Sequence, residues 1–363
     1  MTEVTRKLEI LRAAMAELGI YALRLRGVDW FSWATGGGSS VVIFTSETGV
    51  AEILITQERA LILTTVIEGS RLRAEEAPEN FEVLAFPWED PGAAENFVQQ
   101  NIPFSREIYS DRPQGVEKAL PLSFQYLKMI LSPEEIARYR RIGRLASEAM
   151  SEAILQAEPS WSENQLAGEG ARSLWRRGLD PALVMVSGER RSSLYRHPVA
   201  GEDRLGGFAM MVFCARASGL YANLTRFVFF RPPTDTEQRR FECVSAIEAV
   251  AFKNSTAGRP LAEVYHALAE AYRERGVGEE IHRHHQGGPT GYLSREWVAS
   301  SSCPEDWRLS AGMALAWNPS LPGAKIEDTV LLTERGLEVL TLDPRWPSFQ
   351  LEGRARPELG MKI

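Results

Sequence analysis

The chain is short of cysteine, histidine and positive charge. Three cysteines, Cys214, Cys243 and Cys303, stand in 363 residues, an odd number without Cys-x-x-Cys spacing. That argues against a disulfide framework and a zinc knuckle and leaves buried free thiols in a reducing cytoplasm as the expectation. No apolar run approaches the roughly 20 residues that cross a bilayer. The opening stretch MTEVTRKLEILRAAMAELGI carries charge in every turn and no apolar signal region, so a cytoplasmic protein without membrane contact is expected. The 41 basic and 48 acidic residues give a formal net charge of −7, the wrong sign for bulk binding of nucleic acid or anionic lipid. With 44% hydrophobic and 25% charged residues, the composition is that of a globular protein rather than a disordered or fibrous one.

What is present is alternation of helical and extended patterns. A helix over 4–18 is followed by apolar runs at 40–44, 52–55 and 60–63, each bounded by Gly or polar residues and read as a buried strand. This makes residues 1–128 a small α/β domain. Leu131-Ser-Pro-Glu-Glu135 opens something new, because Ser132 can cap, Pro133 suits the first helical turn and Glu135 completes a capping box. Residues 129–363 then run twice through helix followed by strands, with further capping boxes at Ser162-Glu-Asn-Gln165 and Thr234-Asp-Thr-Glu237. Between Met211 and Phe230 two apolar strands are joined around Ala217-Ser-Gly219, and that hairpin holds no carboxylate. Two similar halves direct attention to their junction, where clefts form.

Polar residues gather in three segments near those strands. Ser193-Leu-Tyr-Arg-His-Pro198 precedes the hairpin. Ile281-His-Arg-His-His-Gln-Gly-Gly288 holds three of the five histidines. Trp317-Asn-Pro-Ser-Leu-Pro-Gly-Ala-Lys-Ile-Glu-Asp328 ends in two acids. Alternation along a strand sends Glu327 and Asp328 to opposite faces, so only one of them faces a cleft. Imidazole suits proton transfer near neutrality, and Pro198 stiffens the loop that carries His197. Bonding of His197 to backbone, and of Glu327 to Arg226 or another arginine, are the structural alternatives.

These segments carry a resemblance. Leu220-Tyr-Ala-Asn-Leu-Thr-Arg226, Gly287-Gly288, Asn318-Pro319 and Gly323-Ala-Lys-Ile-Glu-Asp-Thr-Val330, in this order and spacing, resemble the creatinase/aminopeptidase P/prolidase superfamily. Trp33-Ala-Thr-Gly36 resembles its N-terminal domain. The resemblance implies an α/β (α+β) chain: a creatinase-type N-terminal α/β domain (1–128), then a duplicated helix-strand pita-bread domain (129–363). Peptidases of that superfamily hold two divalent metals through two aspartates, a histidine and two glutamates. The matching positions here are Val212, Asn223, Gly288 and Asn318, with only Glu327 retained.

Two divalent ions need several anionic oxygens, and neither valine nor glycine has a ligand atom. The expectation is therefore no metal and no cofactor. A relocated site using His282, His284, His285 and Glu327 is the alternative left open. Creatinase itself works without metal through a histidine that matches His197 and glutamates that match Glu327 and Thr225, so one substrate carboxylate is missing here.

The resulting expectation is a metal-independent hydrolase of a C–N bond in a small anionic molecule, with His197 as general acid/base and Glu327 positioning substrate or water. Arg196 or Arg226 would grip the anion. Asn223 and Asn318 would donate amide hydrogens to a developing oxyanion, and Tyr195, His284, His285 and Arg295 would line the cleft. An Xaa-Pro peptidase and a silent binding protein for a peptide or metabolite are the alternatives. Relatives form dimers, and an exposed aromatic and Gly-rich run at 30–38 accords with a homodimer.

Overall fold

The computed structural model describes residues 1–362 and divides into two compact units, Met1–Lys128 and Met129–Ile363. The first unit is a six-stranded sheet of β1 (Ala22–Gly27), β2 (Thr48–Ile55), β3 (Ala60–Thr65), β4 (Glu82–Phe86), β5 (Ile108–Ser110) and β6 (Lys118–Ala119). Its order is β4-β3-β2-β1-β5-β6. Burying β1 brings its two arginines along, and carboxylates meet them: Arg24 and Arg26 share Glu52 and Glu117.

Two expectations for this unit are corrected. The apolar run at 40–44 is not a strand. It enters a turn in which Ser46 N–H bonds Ile43 O, leaving Val42, Ile43 and Phe44 exposed. Ser40 O still accepts from Val50 N–H at 2.8 Å, but the turn that follows takes the chain out of extended geometry before a ladder forms. The aromatic run after β1 is not exposed. Val28–Ala34 is a helix whose Trp30, Phe31 and Trp33 are all buried, because these rings supply much of the apolar area that a unit of this size needs.

The second unit opens with the helix Pro133–Gln156, for which the Ser132/Glu135 capping box forms in both directions. The boxes at Ser162/Gln165 and Thr234/Glu237 likewise start the helices Glu163–Trp175 and Asp235–Asn254. Each satisfies backbone N–H groups that helix geometry leaves without partners.

The helices accompany two four-stranded sheets. One contains β7 (Asp180–Gly188), β8 (Phe208–Ala217) and β9 (Leu220–Phe229). The other contains β10 (Gly287–Thr290), β11 (Ala314–Trp317), β14 (Asp328–Thr333) and β15 (Gly336–Val339), and the short pair β12 (Ser320–Leu321) and β13 (Ala324–Lys325) lies between β11 and β14 in the chain. After the hairpin of β16 (Ser348–Leu351) and β17 (Arg354–Pro357), the chain ends in β18 (Gly360–Met361), and the orders are β18-β9-β8-β7 and β10-β11-β14-β15. The β8–β9 turn has two residues, Ser218 and Gly219, both at positive φ, as a tight hairpin that follows strand twist requires.

The two sheets meet through β9 and the residue before β14. Thr225 N–H bonds Glu327 O at 3.0 Å, and Asn223 N–H bonds Thr329 Oγ1 at 2.8 Å. This junction fixes the position of the site. Among the described residues no helix is long and apolar enough to cross a membrane.

Candidate functional site

The β8–β9 register places Val212 opposite Thr225 and Cys214 opposite Asn223. Strand alternation puts these four on one face with Phe208, Met210, Phe227 and Phe229. Val212 packs with those residues and Met185 in one apolar cluster. The face is therefore apolar along most of its length and polar at the end where Asn223, Thr225 and Glu327 meet. Cys214, a residue of intermediate exposure, lies at that end; desolvation pushes its thiol up to about 12, so it is neutral there.

Glu327 is 2% exposed and both its oxygens are engaged. Arg295 Nη2 donates to Oε1 at 2.6 Å, Thr225 Oγ1 donates to Oε2 at 3.0 Å, and Lys325 Nζ stands 3.4 Å from Oε2. Burial opposes the charge, but the two cations outweigh it and bring the carboxyl down to about 2. Sequence reasoning missed Lys325. The signal was available, since in Lys325-Ile-Glu327 alternation places the lysine and glutamate on the same side.

The next acid, Asp328, faces the other way. It accepts from Arg226 at 2.9 Å, from Arg356 at 2.8 Å and from Thr341 at 2.6 Å, and Arg356 also holds Glu248 through two bonds. Arg226, 3% exposed, is thereby committed to Asp328 and backbone carbonyls. Arg196 is paired with Glu280. Neither arginine proposed to grip a substrate is without a carboxylate of its own.

Three histidines form the second half of the site. His197 Nε2 lies 2.9 Å from His284 Nε2, and the ring of His285 stacks on His284 with centroids 4.6 Å apart. One potential ligand atom from each of the three lies within 4.8 Å of the others. Burial and the charge of Lys325 hold His197 below its ordinary range. The same causes take His284 to about 2, and burial with Arg295 takes His285 to about 4. All three imidazoles are neutral at neutral pH. His282, by contrast, is exposed on the short helix Gly278–Arg283 and stands outside this cluster. Tyr195 is exposed with Arg191 over its ring. It helps line a cavity of about 310 Å³ with Arg196, Glu280 and Arg283.

The two asparagines are buried. Asn223 Nδ2 donates to Thr290 Oγ1 at 3.0 Å and to Ser294 O at 3.4 Å, and Asn223 Oδ1 has no partner. Because Ser294 O can only accept, the amide hydrogens must face it. Asn223 thus offers the site an acceptor, where sequence reasoning expected a donor. Asn318 N–H bonds Gln286 O, and its Oδ1 is also without a partner.

The residues at the five positions that the resemblance assigns to metals do not fit a two-metal centre. Val212 belongs to an apolar cluster, and Glu327 is saturated by cations. Gly288 adopts φ +147°, and a Cβ there would stand 2.5 Å from Trp297 O, so a histidine has no room. Asn223 and Asn318 bring no charge.

Comparison with known proteins accords with the fold. The model of metallopeptidase family M24 matches residues 137–334. An uncharacterized peptidase of Staphylococcus aureus (strain MW2) is 25% identical over 230 residues, which are 61% of this chain and 64% of that protein; the match therefore spans less than two thirds of the relative's length. The structure is similar to an Xaa-Pro dipeptidase from Bacillus anthracis (TM-score 0.77, 20% identity, 99% of this chain and all of that one). It is also similar to a prolidase from Thermococcus sibiricus (TM-score 0.80, 16% identity, all of both chains). At such identities the solved structures establish the pita-bread fold alone. With more than half of its length matched by the family model, the chain belongs to metallopeptidase family M24.

Proposed function

We propose that this protein hydrolyses a C–N bond in a small carboxylate-bearing molecule, with His197 as the proton carrier and without the two-metal chemistry of its family. The observation that carries this reading is the pair His197 Nε2···His284 Nε2 at 2.9 Å, set beside a Glu327 whose oxygens are already taken. A carboxylate so engaged neither activates water nor binds a metal. A neutral imidazole at the end of an exposed loop does have a lone pair to accept a proton from attacking water. His284 fixes the orientation of His197, and the proton then passes to the leaving nitrogen. Here Glu327 acts on Arg295 and Lys325 and only through them on substrate.

The anionic substrate class follows from charge. Arg295 and Lys325 face one buried carboxylate, a surplus of one positive charge in a site shielded from water, where electrostatic attraction is stronger than in bulk. Asn223 Oδ1 and Asn318 Oδ1 are acceptors for a substrate N–H. Tyr195 and Arg196, the two residues before His197 in the chain, line the 310 Å³ cavity.

The test is turnover of a panel of N-acyl amino acids and dipeptides by chelator-treated protein. Activity that falls about 10²- to 10⁴-fold in His197→Ala, the usual worth of a general acid/base, supports the reading; activity unchanged in that variant overturns it. The saturation of Glu327 also favours a second reading, a binding protein without catalysis, for which the same panel gives binding and no turnover. An Xaa-Pro peptidase, carried by the fold, predicts cleavage of Xaa-Pro dipeptides only when divalent metal is added.

A further inference from the structure

We propose that His197, His284 and His285 form a binding site for one late transition-metal ion such as Zn²⁺, distinct from the family's carboxylate centre, and that its occupancy switches off His197. The binding half stands independently, and the inhibitory half rests on the role proposed for His197 above.

The three rings already converge. Ligand nitrogens on a shared zinc ion lie about 2.0–2.1 Å from it and so roughly 3.3 Å from one another in a tetrahedron. The three histidines already present nitrogens within 4.8 Å of one another, with one pair at 2.9 Å. Sharing the difference between two rings asks about 1 Å or less of each. His285 adds an unmet need. Its Nδ1 is buried without a hydrogen-bond partner, and a buried polar atom left so is costly. Three imidazoles and an open fourth position match the donor set of zinc sites that keep a water.

Charge then selects the metal. Arg295 and Lys325 act on these imidazoles and oppose any cation, while Glu327 offsets only one of them. Attraction that rests on charge alone is too weak here, so Mg²⁺ and Ca²⁺, which prefer several oxygen ligands, are excluded. Zn²⁺, Ni²⁺, Cu²⁺ and Co²⁺ bind imidazole nitrogen far better than those ions do. An imidazole that has given its lone pair to a metal is no longer a base, so a bound ion and proton transfer by His197 exclude each other.

The experiment uses the full chain after chelator treatment. Zn²⁺ binding is followed by calorimetry, and Co²⁺ binding by its visible absorption. The expected result is one ion per chain, no response to Mg²⁺, and affinity at least tenfold weaker in His284→Gln and in His285→Gln. His282→Gln, outside the cluster, keeps wild-type affinity. His197→Gln lies on the exposed loop and so reports on the site even if a change at buried His284 disturbs folding; it also weakens binding at least tenfold. Wild-type affinity no greater than that of His285→Gln and His197→Gln, or equal binding of Mg²⁺, overturns the site. Where turnover is found, one equivalent of Zn²⁺ should abolish it and chelator should restore it. Binding without inhibition overturns the switch while leaving the site, and absence of any turnover counts against the hydrolase and not against the metal site.

Discussion

The surviving glutamate offers the sharpest test, because its chemistry here is the reverse of that of a metal ligand. In Glu327→Gln the neutral amide can still bond Thr225 Oγ1, but Arg295 and Lys325 are left as buried cations without a counter-charge. Breaking a buried pair by removing one partner costs about 3–5 kcal/mol. The pH linkage gives a similar figure, since a carboxyl whose pKa is 4.5 unfolded and about 2 folded contributes about 3 kcal/mol at neutral pH.

The folded value is the lower one, so the contribution is complete above about pH 4.5 and is lost as pH falls through about 2. At pH 3 roughly 1 kcal/mol remains, and the difference between wild type and Glu327→Gln should therefore shrink by about 2 kcal/mol between pH 7 and pH 3. Urea unfolding at the two pH values measures it. Two units need not unfold together, so exchange of the Thr225 amide, which donates to Glu327 O, reports on the site locally. A difference below about 1 kcal/mol at pH 7, or one that does not change with pH, would refute the assignment of Glu327 as counter-ion to Arg295 and Lys325.

Four further outcomes are expected. Gly288→Ala should destabilise the protein by at least about 2 kcal/mol in urea unfolding, because its Cβ would stand 2.5 Å from Trp297 O at a φ that L-residues rarely adopt. For the same reason the combined changes Val212→Asp, Asn223→Asp, Gly288→His and Asn318→Glu should not bind two divalent ions, as checked by elemental analysis. Asp328→Asn leaves Arg226 and Arg356 without the carboxylate they share and should cost about 3–5 kcal/mol, read from the urea midpoint. Tyr195→Ala, on an exposed ring, should move stability by less than about 0.5 kcal/mol, yet raise KM for any substrate entering past it.

Much of the fold is written in local signals whose partners lie a few residues away. Ser132 and Glu135, Ser162 and Gln165, Thr234 and Glu237 close reciprocal bonds across three positions. Ser218-Gly219 turns a hairpin with both residues at positive φ, a conformation that glycine adopts without steric cost. Where the outcome depended on competition between segments, local reading failed. The run at 40–44 has the composition of a strand, but it turns between Ile43 and Ser46 instead of pairing. The aromatics at 30–33 look adhesive, but their own unit buries them.

The site divides in the same way. That the carboxylate cage was gone could be read from residue identity at five spaced positions. What replaced it could not, because it depends on contacts between distant segments. His197 meets His284 across 87 positions, and Thr225 meets Glu327 across 102. Arg226 was chosen for its charge, yet alternation on β14 hands it to Asp328 and leaves Glu327 to Arg295 and Lys325. The direction of the Asn223 amide is decided by Ser294 O, a carbonyl no pattern could have named.

These contacts fit one physical account of how a scaffold of this family holds residues that do not fit two metal ions. A buried carboxylate needs a cation close by whether or not a metal is present. A guanidinium at 2.6 Å and an ammonium at 3.4 Å from Glu327 supply that charge from within the chain. The remaining carboxylates of a metal cage would then have no cation to face, and burial would disfavour them. Uncharged asparagines at 223 and 318, an apolar Val212 and a Gly288 closed in by Trp297 are what such a site can hold without an unbalanced buried charge. Histidines are free of this constraint because they are neutral when buried, and the conspicuous polar cluster that remains beside Glu327 is accordingly built from them.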